Sequence, residues 1–451
     1  MAFRHRLHAH STAMKTNVVS ANSQSSSEAS LVEWLAVRCR VLAILDGGRR
    51  EWWAAVLITS ALVALRAAPW VLWESTRFDS DQAVIGLMAK HLSEFRAFPL
   101  FFYGQSYMLG VQAWIVAPFF WLARPSVTAL RFPLMLLNVA AALFLMRTLG
   151  RELRLRPAVA LIAALPFIAA SPAIAGSLLD GQGCGAGELY FYVLTLWALR
   201  NKPFAFGAMF ALAYLHREFT LFVLPALVIV EAAAGTLWRR SSLTRALRMA
   251  AGFGLVWLAI DDLNLHLNNT SLFMQVRMLA VNTCFRAGDL WPRIVYLFTD
   301  CLPVLFGTYR IGLYTGGAKI VGSPALGWVL FPTLSVMLAR LAWTWRRDDG
   351  RTDVAAFLML VGAFGLASYT LACMLTTGVP PMVRYLHLPL LMPIACLAAF
   401  MVREPSRRLR GIALAVFVAW GASNVADTVR AVRIFSDLSG PSPHRILADY
   451  L

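Results

Sequence analysis

Apolar residues in this chain come in long runs, broken by short polar stretches that carry arginine. The runs lie near residues 52–73, 127–146, 157–178, 188–199, 204–216, 219–237, 247–263, 324–344, 354–376, 385–402 and 410–427. A helix needs about 20 apolar residues to cross a hydrocarbon core of roughly 30 Å. Most of the runs approach that length, and in lipid a spanning helix satisfies its own backbone hydrogen bonds. The pattern predicts an all-α fold, a polytopic integral membrane bundle of about 11 transmembrane helices. The runs at 188–199 and 204–216 are short, and read either as tilted half-spans or as one interrupted helix.

Two stretches between runs, 74–126 and 261–323, are long yet too apolar for free loops. They are expected to lie on the membrane surface as short helices packed over the spans. In the first, Ala83, Val84, Leu87, Met88, His91, Leu92 and Phe95 recur at helical spacing, with Lys90, Ser93 and Glu94 on the other side. Residues 1–30 are rich in Ser, Ala and Asn and lack periodicity, the composition of a disordered segment. Residues 31–45 mix apolar and arginine positions and suit the membrane surface. The expected plan is a disordered to amphipathic cytoplasmic segment 1–50, a transmembrane domain 51–430 and a short external tail 431–451. No cleavable signal peptide is expected before the first span, which would then serve as the insertion signal.

Composition strengthens the membrane reading. The chain has 451 residues, 59% hydrophobic and 14% charged, with a mean hydropathy of +0.63. Soluble domains carry about 25% charged residues. The formal charge is +17, and nearly all the positive residues are arginine. Such a balance can signal nucleic acid, but no recognition module accompanies it and the basic residues cluster between apolar runs. No nucleic-acid partner is expected.

Counted in order, alternate connections carry Arg38/Arg40/Arg49/Arg50, Arg147/Arg151/Arg154/Arg156, Arg200/Lys202, Arg239/Arg240/Arg245/Arg248, Arg346/Arg347/Arg351 and Arg403/Arg407/Arg408/Arg410. The positive-inside rule assigns these to the cytoplasm. Asp79, Asp81, Asp180, Glu188, Asp261, Asp262 and Arg384 then fall on the opposite side. The expected location is the inner (plasma) membrane, multi-pass, with a cytoplasmic N-terminus and an extracytoplasmic active site. Six cysteines show no CxxC spacing, against a zinc or thiol-redox site. Cys284 and Cys301 share one external segment, as a pair in an oxidising compartment or as free thiols.

The stretch FDSDQAVIGLMAKHLSEFRAFPLFFYGQSYMLG, residues 78–110, places Asp79 and Asp81 where the chain leaves the first run. One reading is structural. Asp79 or Ser80 caps a helix, Asp79 with Gln82 resembles a capping box, and acids in the first turn suit the helix dipole. The other is chemical: a carboxylate near headgroup depth, beside a lipid-borne phosphate. LLDGQGCGAGELYFY, 178–192, sets Asp180 and Glu188 around a glycine-rich turn, which offers backbone donors to phosphate or merely joins helices. YLHREFT, 214–220, holds His216 and Arg217, either solvated anchors at a span end or site residues. Asp261 and Asp262 read as the end-cap of a span. In VPPMVRYLHLP, 379–389, Arg384 follows a Pro-Pro break. It suits bidentate phosphate binding, or stands as an interfacial arginine beside Tyr385 in an aromatic belt.

The run FDSDQAVIGLMAKHL followed by FPLFFYGQSYMLGVQAWIVAPFFWL resembles the first external loop of the GT-C membrane glycosyltransferases. The resemblance points to the protein O-mannosyltransferase and aminoarabinose-transferase-like group, including bacterial enzymes that glycosylate lipopolysaccharide cores. It is specific over 78–126 and extends loosely to about residue 400 through the span pattern and VRYLHLPLLMPI at 383–394. The family pattern has Asp followed by Glu, where this chain has Asp81 followed by Gln82. The resemblance implies a GT-C-like bundle that moves a sugar from a polyprenyl-phosphate donor to a glycan, lipid or protein acceptor of the envelope. In that picture Asp81 is the base and Asp79 its helper or a metal contact. Arg384, with Tyr385, anchors the phosphate, and Glu188, Asp180, His216, Arg217, Tyr103 and Gln105 line the substrates. A divalent metal is compatible with these acids, but no ligand cage is recognisable and no cofactor is required. The rival readings are a transporter or flippase of lipid-linked molecules and a non-catalytic assembly protein with the same fold.

Overall fold

A computed structural model describes residues 48–73, 78–180, 187–237, 240–268, 290–307, 310–312, 319–321, 324–345, 353–371 and 387–437. The chain divides into an N-terminal unit, Met1–Ala55, and a main unit, Val56–Leu451. All the side-chain networks that follow belong to the second. Arg384 and Tyr385 lie outside the described residues, as do Cys284 and the segments 1–47 and 438–451.

Helices form where the apolar runs lie. The first half contains α1 (Gly48–Leu72), α2 (Ser80–Ser93), α3 (Val111–Ala123), α4 (Val127–Glu152), α5 (Pro157–Ile168), α6 (Pro172–Ser177), α7 (Glu188–Leu199) and α8 (Pro203–His216). A 3-10 turn (Glu218–Phe222) leads to α9 (Val223–Ala233) and then α10 (Arg240–Asn268). The second half contains α11 (Leu290–Tyr296), a π turn (Leu297–Cys301), α12 (Leu302–Leu305), α13 (Pro324–Trp345), α14 (Val354–Leu371), a 3-10 turn (Leu388–Leu390), α15 (Leu391–Arg403) and α16 (Arg407–Asp437). Two small antiparallel hairpins interrupt the helices: β1 (Phe101–Phe102) with β2 (Gln105–Leu109), and β3 (Arg310–Gly312) with β4 (Lys319–Val321).

Five of the described helices are long and apolar enough to cross a membrane: α1, α4, α10, α13 and α16. The predicted run at 157–178 is cut in two, because Pro172 cannot donate to the preceding turn and the chain turns extended at Ser171. The freed carbonyl of Ala169 accepts from Asn424 Nδ2 of α16 at 2.8 Å. The short runs at 188–199 and 204–216 form two separate helices, α7 and α8, packed against each other. The run at 247–263 extends to Asn268. Asp261 and Asp262 therefore sit inside α10 and are not its end-cap, which corrects the expectation.

α1 and α4 run antiparallel. Thr59 Oγ1 meets Met146 Sδ at 3.8 Å, and Thr128 Oγ1 donates to the Val71 carbonyl at 2.9 Å. α8 and α10 cross at closest range. A Cβ on Gly207 would overlap the Met249 carbonyl, and one on Gly252 would overlap the Phe204 carbonyl. Two glycines thus let backbone meet backbone, the way small residues bring helices together in lipid. In the second half, α15 packs against α13, α14 and α5, and α16 against α5.

α2 departs from its expected face. Gln82, Ile85, Gly86, Met88, Ala89 and Leu92 are buried, whereas Leu87 and Phe95 are exposed. The helix packs along α3, and the polar Gln82 takes an inward position that an apolar stripe alone does not predict.

Candidate functional site

The N-terminus of α2 separates the two aspartates by function. Asp79 has extended backbone angles, and its Oδ1 accepts from the Gln82 N–H at 3.0 Å. It is the helix cap. Asp81 lies one residue into the helix, half-buried, in the first turn.

Gln82 does not complete a capping box. Its Oε1 accepts from Arg131 Nη2 at 3.0 Å and Nε at 3.3 Å, while its Nε2 donates to Asp180 Oδ1 at 3.3 Å. Arg131 Nη1 donates to the Trp70 carbonyl at 2.7 Å. Gln82 and Arg131 together thereby join α2, α4, the end of α1 and the residue that opens the α6–α7 connection. An amide suits this place, because it accepts from a cation and donates to a carboxylate at once. A glutamate here would be acceptor-only and would face Asp180 with like charge. This is a physical reason for glutamine at the position where the resemblance leads one to expect glutamate.

A second buried cluster surrounds Glu188, the first residue of α7. Arg217 Nη2 donates to Glu188 Oε1 at 3.3 Å, and Gln112 Nε2 from α3 donates to the same oxygen. His216 Nε2 lies 4.0 Å from it, and His216 Nδ1 is 2.6 Å from the Tyr192 hydroxyl. Arg217 Nη1 touches Met108 Sδ of β2 at 3.8 Å. Glu188, His216 and Arg217 are each 2% exposed, so His216 and Arg217 are not solvated anchors, whereas Glu218 of the same segment is exposed. Glu188 Oε2 and Arg217 Nε have no protein hydrogen-bond partner among the described residues. Gly187, at φ +76°, starts α7 in a backbone region that favours glycine, and a Cβ there would press on Asn138 Oδ1.

The YGQ segment forms the β1–β2 turn. Gly104 supplies the positive φ, and the Tyr103 hydroxyl lies 2.8 Å from His91 Nδ1 of α2. Partial burial raises the Tyr103 phenol above its usual pKa, so it stays protonated. Gln105 opens β2, half-exposed. Residues 97–105 and Leu267 line an open cleft of about 460 Å³.

Thus the structure gathers Asp79, Asp81, Gln82 and Asp180 at one nest, and Glu188, His216 and Arg217 at another. α3, which supplies Gln112 to the second, packs on α2, which carries the first. The described part of the 383–394 segment starts at His387. Its Nε2 is 2.6 Å from Ser177 Oγ, and its carbonyl accepts from the Tyr190 hydroxyl at 2.5 Å. Sequence reasoning missed Arg131, Gln112, Tyr192 and His387. The available signal was a lone polar residue inside an apolar run, which in a membrane helix is costly enough to need a reason. Among the described residues, no three His, Cys, Asp or Glu side chains converge as a metal site. No protein-family model, curated protein or solved structure matches the chain.

Proposed function

We propose that this chain is a membrane glycosyltransferase that moves a sugar from a polyprenyl-phosphate donor to an acceptor on the extracytoplasmic side. The observation that carries the reading is the division of labour on α2. Asp79 caps the helix, and Asp81 follows it, half-buried in the first turn, on a helix fixed by Gln82 to Arg131 and Asp180. In the proposed step the acceptor oxygen bonds to the anomeric carbon, the bond from that carbon to the phosphate oxygen breaks, and the acceptor proton passes to Asp81. Positioned proton transfer of this kind is worth roughly 10²–10⁴-fold. The polyprenyl phosphate leaves with its negative charge, for which Arg384 is the proposed partner.

The test is a reconstituted assay with a radiolabelled polyprenyl-phosphate sugar. Asp81→Asn is expected to abolish transfer with insertion intact. Asp79→Asn is expected to remain active, because asparagine caps a helix as well as aspartate. Normal turnover by Asp81→Asn would reject Asp81 as the base.

A second reading, a carrier of lipid-linked molecules, draws on one observation. The break between α5 and α6, with its carbonyl taken by Asn424, is the kind of interrupted helix that transporters use. A carrier would move labelled donor across vesicle membranes without consuming it, and Asp81→Asn would leave that movement unchanged.

A further inference from the structure

One surface of the α2–β1 turn and α3 is apolar and faces away from the protein. Phe95 is 73% exposed, Phe98 60%, Trp114 45%, Trp121 71% and Leu122 74%. The first three touch in series, with ring centroids 6.4 Å apart for Phe95–Phe98 and 6.5 Å for Phe98–Trp114. The Trp114 indole N–H already donates to the Pro99 carbonyl at 2.9 Å, so the ring needs no water for its polar edge. Phe95 sits at φ 55°, a region costly for a bulky residue.

α3 explains what lies opposite. Its 13 residues are too few to cross a bilayer. Gln112, Ala113, Val116 and Phe120 form its buried face. Trp114 and Trp121 lie about half a helical turn round from Gln112, on the outer face. That outer face runs on into a long apolar helix. Phe119 meets Phe132 of α4 edge-on at 6.0 Å, and Phe132 and Leu136 are themselves exposed on α4, which is long and apolar enough to span. The outward surface of α3 is therefore continuous with the exposed apolar surface of a helix long enough to span.

We infer that α3 and the α2–β1 turn are seated in the bilayer interface, with Phe95, Phe98, Trp114, Trp121 and Leu122 in contact with lipid at the headgroup–acyl boundary. Aromatic side chains favour that depth. Seated there, α3 holds Gln112, and with it Glu188 and Arg217, at a set depth below the membrane surface. The inference does not depend on the transferase reading.

The test uses the full chain in nanodiscs of palmitoyl-oleoyl phosphatidylglycerol, with p-benzoylphenylalanine in place of Phe98, Trp121 or Leu258. Leu258 is exposed on the spanning helix α10 and checks the photochemistry. After illumination, intact mass is expected to rise by one phospholipid at all three positions. A phospholipid adduct at 258 with none at 98 and 121 would overturn the inference. So would covalent dimers from 98 or 121 in place of lipid adducts, since the surface would then be covered by a second copy.

Discussion

At the scale of single residues, the Glu188–Arg217 pair matters most. Both side chains are buried, and they share one carboxylate oxygen with Gln112. A buried pair gains little over apolar replacement, but removing one partner strands the other, at about 3–5 kcal/mol. Arg217→Met alone is therefore expected to lower stability strongly, and Arg217→Met with Glu188→Leu to recover much of the loss. Thermal unfolding in detergent, analysed as a double-mutant cycle, measures the coupling. Equal loss in the single and double variants would mean the pair is incidental. The sequence shows each of these residues but not their meeting. Glu188 and Arg217 are 29 positions apart, and Gln112 lies 76 positions before Glu188. Only the packing of α3, α7 and α8 brings them together. Gln82 is a clearer case. Its spacing from Asp79 fits a local capping partner, while its side chain serves Arg131 and Asp180.

At the scale of elements, the apolar runs mark every long helix, since apolar length is a strong local signal, while α2, α3, α11 and α12 lie in the stretches between runs. Boundaries and breaks are less legible. Pro172 splits one run, and polar residues past 263 hide the last turns of α10. α2 shows the limit of periodicity: the stripe is read correctly as helical, yet the buried face is rotated because Gln82 is drawn inward. The α8–α10 crossing depends on glycine in both helices, a contact that no single run reveals. Gly207→Val is expected to push the helices apart and to cost about 1–3 kcal/mol or more, as overpacking does. Gly254 of α10 has open space around it, so Gly254→Ala, on the other helix of the pair, is the control. Protease sensitivity of the 238–239 connection and unfolding temperature together read the effect. Equal behaviour of the two variants would show that the crossing tolerates separation.

At the scale of the whole molecule, the arginine-bearing ends of the helices are joined to one another. Arg200 pairs with Glu152 at 3.0 Å, Arg245 with Glu231 at 2.5 Å and Arg403 with Asp353 at 2.7 Å. Arg340 grips Glu404 with two hydrogen bonds, at 3.0 and 3.1 Å. The hydrogen bond from Arg340 holds the Glu404 carboxyl below its usual pKa. A carboxyl with a depressed folded pKa adds stability above its unfolded value, near 4.3, and loses it as pH falls through the folded one. Acid is thus expected to loosen the α13–α15 corner. Glu404→Gln should flatten this part of the stability–pH curve below about pH 4.3, and an unchanged acid limb would exclude Glu404 from it. The bond between Gln82 and Arg131 also has a consequence in time. A chain still on the ribosome makes α2 first and meets Arg131 only after α4 has begun to emerge. Until then both aspartates stand on a helix without its anchor. The machinery that inserts α4 therefore also completes the nest, and any nascent chain halted before residue 131 carries the acids but not the scaffold that orients them.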